Sequence, residues 1–365
     1  MIKPLNWKIG FEIELLAPRG ASRQDLADAI ARKFGGYSKR CFYLQSEPSA
    51  VPGKPVFENL VLGFDVYTAA HQFVVKCVDD LTIRHDLDRG AEGREGWYRI
   101  LSDDVRFLRL IMARCDPAAD KHSVLAPIAE LFKTRLRVEN GIVRVADIMS
   151  SPIALVAPLP GERERPCELI TPPIEAQHFS RLKELLDTAT ELGFSVPHEA
   201  AIHMHFDAER LCNTEVFCRL IQVLQKYHTQ IRNAVGTNIN CVRLGKLPNW
   251  LFKVTKKKEF KNLNWADARE YLADRGLSKY CDFNIMNFVY QVPGKSTFEV
   301  RLFPGSLDAR EVVENAHQFE TILNWCVNAS KGNRLPANLT VFLNSEDKLI
   351  NSSHGNAVRW FNKRF

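Results

Sequence analysis

The sequence predicts an α+β chain built on an antiparallel sheet with one covered face. Three observations carry this. Strand-like and helix-like segments alternate irregularly along the 365 residues. The strand segments alternate apolar with polar residues, whereas a doubly wound parallel sheet would show near-continuous apolar runs. The helix segments open on Ser, Thr, Asn or Asp, and four of the five stop at Gly.

In chain order, residues 8–16 read as a strand, Lys8-Ile9-Gly10-Phe11-Glu12-Ile13-Glu14-Leu15-Leu16. Ser22, with Asp25 three residues on, opens a helix that stops at Gly35-Gly36. Residues 37–60 hold Pro48, Pro52, Gly53 and Pro55 and read as an irregular connection. Val74–Val78 is strand-like, and residues 84–95 are a charge-dense surface loop. The stretch 97–145 has no clear period, and 157–166 reads as a Pro- and charge-containing loop. Cys167–Thr171 is a short strand, and Ser180 caps a helix closed by Gly193. Ala201–Phe206 is a strand, and Thr214–Val235 is a long amphipathic helix followed by Gly236. Asn264 caps a helix to Arg275, Ser296–Phe303 is a strand, and Asp308 with Glu311 begins a last helix through Val327.

Composition excludes several classes. With 45% hydrophobic and 25% charged residues, the chain is an ordinary globular protein. A net charge of +6 suits an anionic small ligand such as a nucleotide as well as it suits nucleic acid. The first residues lack the apolar run of a secretory signal, and no stretch reaches the ~18 apolar residues of a membrane span. Nine cysteines lie scattered with no C-x-x-C pair, the pattern of reduced thiols packed as small hydrophobes. A cytoplasmic protein without a membrane partner is expected.

Chemistry concentrates on four strands. Side chains alternate along a strand, so Glu12 and Glu14 share one face, as do His203 and His205, and Glu299 and Arg301. Glu168 stands on the face opposite Leu169. Alone, Glu-x-Glu usually marks a solvated edge and Glu-x-Arg a cross-strand ion pair. His-x-His is a better pointer to a metal or phosphate site. Four strands that each set polar pairs against strongly apolar neighbours change the weighing. On one curved sheet these residues would gather four carboxylates, which repel unless cations lie between them. Oxygen ligands with an occasional His suit Mg²⁺ or Mn²⁺, and such ions suit nucleotide phosphates. The residues alone stop there, at a divalent-metal nucleotide site.

The order of the motifs resembles a known family. G-F-E-I-E near the start, E-L-I-T-P, H-M-H and F-E-V-R-L-F-P-G near the end are similar to the amidoligase family of the glutamine synthetase and glutamate–cysteine ligase superfamily. Tyr280-Cys281-Asp282-Phe283-Asn284 also resembles the segment that family places before its last motif. The resemblance implies an antiparallel sheet bent into a half-barrel, lined by catalytic residues, with helices outside, as in the glutamine synthetase catalytic domain. It implies that Glu12, Glu14, Glu168, His203 and Glu299 hold divalent ions and through them ATP. His205 would sit beside them, Arg301 would contact the transferring phosphate, and Asn284 would lie at the nucleotide. The implied reaction activates a carboxylate as an acyl phosphate, which an amine attacks to give an amide. The implied domain spans 1–331, with a variable insertion at about 35–165 and a C-terminal extension over 332–365. One departure stands out. Where the family carries Asp-Gly-Ser-Leu, this chain has Asp80-Leu81-Thr82-Ile83, so the substrate loop differs.

Lys253, Lys256, Lys257, Lys258 and Lys261 form a basic run with Trp250, Phe252 and Phe260 interleaved. A solvated loop is the simplest reading. The functional reading is a lid in which Lys253 and Lys257 meet ATP phosphates, supported by Arg243, Lys246 and Arg269. No G-x-x-x-x-G-K-[ST] loop is present, and no cysteine has an evident base partner. The leading expectation is a carboxylate–amine ligase acting on small-molecule or peptide substrates, with nucleic acid the less favoured partner. A guanidino-kinase-like phosphotransferase, a metal-dependent hydrolase and a non-catalytic nucleotide-binding protein stay open.

Overall fold

A computed structural model describes residues 3–48, 56–241, 244–329 and 335–343. It mixes helix and strand around a large antiparallel sheet that is not closed. The chain folds as two compact units. Met1–Glu12, Pro173–Leu186 and Ala200–Phe365 form the first, and Ile13–Pro172 with Asp187–Glu199 form the second. No helix among the described residues is long and apolar enough to cross a membrane.

Strand β1 (Ile9–Leu16) gives its first half to the first unit and its second half to the second. The second unit then contains α1 (Arg23–Lys33), β2 (Tyr37–Pro48), β3 (Val56–Tyr67), β4 (Phe73–Val78) and β5 (Tyr98–Leu101). It continues with α2 (Val105–Arg114), α3 (Ala126–Leu131), β6 (Arg137–Glu139), β7 (Ile142–Ala146), β8 (Pro152–Pro158) and β9 (Pro166–Ile170). Strand β3 organises this unit. Its whole length pairs with β2, while β4 takes Phe64–Tyr67 and β5 takes Asn59–Val61 along the other edge. Asp25 accepts hydrogen bonds from the amide and hydroxyl of Ser22 at 2.7 Å and so starts α1.

After α4 (His178–Glu191) the first unit is completed by β10 (Ala201–Asp207), α5 (Thr214–Val235), α6 (Asn249–Val254), α7 (Lys258–Lys261) and α8 (Trp265–Ala273). Then come β11 (Phe283–Asn284), α9 (Met286–Val289), β12 (Thr297–Pro304) and α10 (Ala309–Asn328). Its strand order is β11-β12-β10-β1. Asn213 caps α5 by accepting from the amides of Glu215 and Val216, and Gly236 closes it at φ +67°, a left-handed conformation that glycine adopts without strain. Asp308 caps α10 by accepting from Arg310 N at 2.8 Å.

The core of the first unit forms where strand alternation meets helix periodicity. Ile202, Met204 and Phe206 of β10, with Phe298, Val300 and Leu302 of β12, are buried. Phe319 of α10 lies against Phe206, Phe283, Phe298 and Phe303, with ring centroids 5.7 to 6.5 Å apart. One helix side chain therefore clamps the apolar side of three strands, and the opposite face of those strands is left for polar groups.

Several secondary-structure expectations are corrected. Residues 37–60 are not an irregular connection. They contain β2 and the start of β3, which pair along their whole length, and the proline of β2 comes only at its last position. Pro52, Gly53 and Pro55 lie outside the described residues. The stretch 97–145 resolves into β5, α2, α3, β6 and most of β7, of which only α2, at ten residues, is longer than six. Helix α4 starts at His178, and Ser180 lies within its first turn, where its hydroxyl donates back to Gln177 O at 3.0 Å. The segment expected as an insertion makes up most of the second unit. Of the expected C-terminal extension, 335–343 is described, and Phe342 stacks on Tyr227 at 5.5 Å.

The approach to β1 is anchored by α10. Glu320 is buried and accepts from the backbone amides of Asn6 and Trp7, the latter at 2.8 Å. Burial pushes its carboxyl up, against the pull of those two amides. Glu320→Ala would leave two amides unpaired and should cost about 2 kcal/mol or more. Glu320→Gln keeps an acceptor and should stay near wild type. Urea unfolding of both variants checks this, and a wild-type midpoint for Glu320→Ala would contradict it.

Candidate active site

Three strands of the first unit bring their polar faces together. On β10, His203 and His205 alternate with the core residues Ile202, Met204 and Phe206, so both imidazoles point away from the core. In register, His205 faces Glu299 on β12, and Asn284 of β11 faces Glu299 from the other side. The β10–β12 pairing slips between Ile202 and Met204, where two β12 residues, Arg301 and Leu302, stand opposite the single His203. Such a bulge twists a strand and re-aims its side chains. Glu12 comes from β1.

Glu12 is the hub. Its Oε2 accepts from His203 Nδ1 at 3.1 Å, and its Oε1 lies 3.0 Å from His205 Nε2. His203 Nδ1 is also 3.9 Å from Glu299 Oε1. Arg301 Nη1 donates to Glu299 Oε1, and Asn284 Nδ2 donates to Glu299 Oε2 at 2.7 Å. His205 Nδ1 stands 3.3 Å from Thr297 Oγ1, which in turn accepts from Asn287 Nδ2 at 3.0 Å. Glu299, His203 and Asn284 are buried, while Glu12, His205 and Arg301 keep a small exposed edge.

Charge follows from this geometry. Burial alone would raise the Glu12 carboxyl, but His205 and His203 outweigh it and hold Glu12 well below the ordinary 4.5. Burial likewise opposes ionisation of Glu299, and His205, Arg301 and His203 overcome it and keep its pKa lowered. Burial works against a charged His205, yet Glu12 and Glu299 raise it above 6.5. Without a metal ion, an imidazolium therefore balances the carboxylates. One ligand atom from each of Glu12, His205 and Glu299 lies within 4.8 Å of the others, close enough for one cation to take the place of that proton.

The expected residues distribute as follows. Glu12, His203, His205, Asn284, Glu299 and Arg301 are gathered. Glu14 is buried in the second half of β1, and Glu168 is half-buried on β9 opposite Val78; both belong to the second unit. Lys253 on α6 and Lys257 at the start of α7 are exposed. Arg243 lies outside the described residues. Beyond the expected set, Thr297 and Asn287 support His205. A buried Asp282 accepts from His228 Nε2 at 2.7 Å and from Arg232 Nη1 at 2.9 and 3.0 Å, while its carbonyl accepts from Arg301 N at 2.9 Å. The i,i+4 spacing puts His228 and Arg232 on one face of α5, but nothing local in the sequence ties that face to Asp282.

The pH response has a definite sign. His205 is raised, so its link to Glu12 stabilises the metal-free protein fully below 6.5 and is lost as pH rises through the raised value. Glu12 is lowered, so its contribution is present above 4.5 and lost as pH falls through the lowered value. The stability gap between wild type and His205→Gln in EDTA should therefore shrink as pH is raised above 6.5. Thermal melts from pH 5.5 to 9 test this, and a constant gap would contradict it.

A family model described as "Putative amidoligase enzyme" matches residues 5–323. No curated protein and no solved structure matches the chain.

Proposed function

Because the chain belongs to the amidoligase family, we propose that it is an ATP- and Mg²⁺-dependent ligase that joins a carboxylate to an amine. Family membership points to ligase-type chemistry. The observation that carries the finer reading is the Glu12–His205–Glu299 group, with Glu299 buried and Arg301 fixed on it. Two carboxylates beside imidazoles form a donor set suited to Mg²⁺ or Mn²⁺. Glu12, Glu299 and His205 would hold one ion, and His203, Glu14 and Glu168 complete the proposed ligand set. A bound divalent ion would neutralise nucleotide phosphates and hold the transferring phosphoryl group in line.

The chain's own residues supply the rest. Glu299 holds the Arg301 guanidinium in place, ready for the charge that develops on the transferring phosphoryl. Asn284 fixes the second oxygen of Glu299 and so its orientation. Lys253 and Lys257 are the proposed contacts to the nucleotide phosphates. The substrate carboxylate attacks the γ-phosphorus of ATP and releases ADP. The amine then attacks the acyl phosphate and expels phosphate, leaving the amide. The half-barrel of glutamine synthetase is the proposed architecture for this chemistry, and the cytoplasm its proposed setting.

The test is product analysis. Purified protein with ATP, Mg²⁺ and panels of carboxylates and amines should release ADP and phosphate together with an amide seen by mass spectrometry. Glu299→Gln should lower turnover about 100-fold or more. A phosphorylated acceptor without amide would contradict the ligase reading in favour of phosphotransfer.

A further inference from the structure

The second unit contains a cavity of about 360 Å³, within the size range of small-ligand pockets. Its wall comes from Glu47 of β2, Val61 of β3 and Arg99 of β5 and from two loops, 79–89 and 159–163. These loops are tied together. Arg163 Nη1 donates to Ile83 O at 2.7 Å, and Nη2 donates to Asp80 O at 2.8 Å and to Asp79. Glu162 accepts from Asp88 N at 3.0 Å. Gly161, at φ +58°, lets the second loop approach the first, because a Cβ there would fall 2.8 Å from Asp88 O. The Asp80-Leu81-Thr82 segment is itself pinned by Asp80 Oδ1, which accepts from the Thr82 amide at 2.7 Å and hydroxyl at 2.8 Å.

Four arginines and four acids line the cavity, and their partners decide its character. Every acid already takes a protein donor: Asp79 from Arg163, Asp88 from Gly90 N, Glu47 from Asn59, and Glu162 from Arg165. The Arg84 guanidinium donates to Leu81 O and has no carboxylate partner among the described residues, Glu199 meeting only the Arg84 backbone amide; Arg89 has no side-chain partner among them. Two buried wall atoms also stand unpartnered, Arg99 Nε as a donor and Asp79 Oδ2 as an acceptor. Val61, Leu81, Leu87, Leu159 and Pro160 supply an apolar surface.

We propose that this cavity binds a small carboxylate carrying an aliphatic body and an amide N–H, as an N-acylated amino acid or short peptide does. The guanidinium groups of Arg84 and Arg89 take the carboxylate, whose planar geometry they match. The apolar wall takes the aliphatic body, and Asp79 offers the acceptor for the N–H. The assignment does not depend on the ligase reading.

Calorimetry on the full chain, in EDTA and without nucleotide, tests it with N-acetyl-L-leucine as probe. Binding is expected, with N-acetyl-L-leucinamide, which lacks the carboxylate, at least about tenfold weaker (about 1.4 kcal/mol). Arg89→Ala should weaken the acid by a similar factor with an unchanged melting temperature, and Arg84→Ala should act in the same direction. No binding of the acid, equal binding of acid and amide, or inorganic phosphate binding as tightly as the acid would each overturn the assignment.

Discussion

The clasp of the Glu12 carboxylate by His203 and His205 is the constraint on which the site depends. A carboxylate removed from water is costly unless its charge is matched and its lone pairs are used. Here both oxygens are engaged by imidazoles two residues apart on one strand. The same imidazoles lie beside Glu299, which is itself held by Arg301 and Asn284. The group is therefore interdependent: removing any member leaves another charge buried and poorly matched. Interdependence of this kind also makes the group responsive, because a proton or a divalent ion can supply the positive charge that the two carboxylates need.

The fold serves that clasp from behind. Phe319 packs the apolar side of β10, β11 and β12, and Glu320, one residue on, anchors the chain that leads into β1. A single turn of α10 thus fixes the strands that carry Glu12, His203, His205, Asn284 and Glu299. Behind β11, Asp282 is locked by His228 and Arg232 and holds the Arg301 amide through its carbonyl. The polar face can be crowded because the apolar face is rigid.

Much of this was legible in the sequence, for physical reasons. Strand alternation has a period of two, so Glu12, His203, His205, Glu299 and Arg301 could be assigned to polar faces from local sequence alone. The caps Asn264 and Asp308 marked helix starts because side-chain acceptors must satisfy the first free amides. Three things were hidden. The pairing of β2 with β3 was masked by the prolines and glycine between them and by the uneven pattern of 37–44, where three polar residues are followed by four apolar ones. The start of α4 escaped because Gln177, at φ +57°, turns the chain before Ser180 is reached. The link of Asp282 to His228 and Arg232 spans 50 to 54 residues, and no local pattern reports a pairing at that distance.

The proposed role of this carboxylate–imidazole group as a divalent-ion site is open to direct measurement by Mn²⁺ binding, followed by electron paramagnetic resonance. The account predicts that wild-type protein removes the signal of aqueous Mn²⁺, with affinity rising from pH 6 to 8 as the ion displaces the His205 proton. It also predicts that Glu12→Gln, folded by circular dichroism, binds about tenfold or more weakly. Wild-type protein that leaves the aqueous signal untouched, or a Glu12→Gln variant that binds as tightly as wild type, would contradict it.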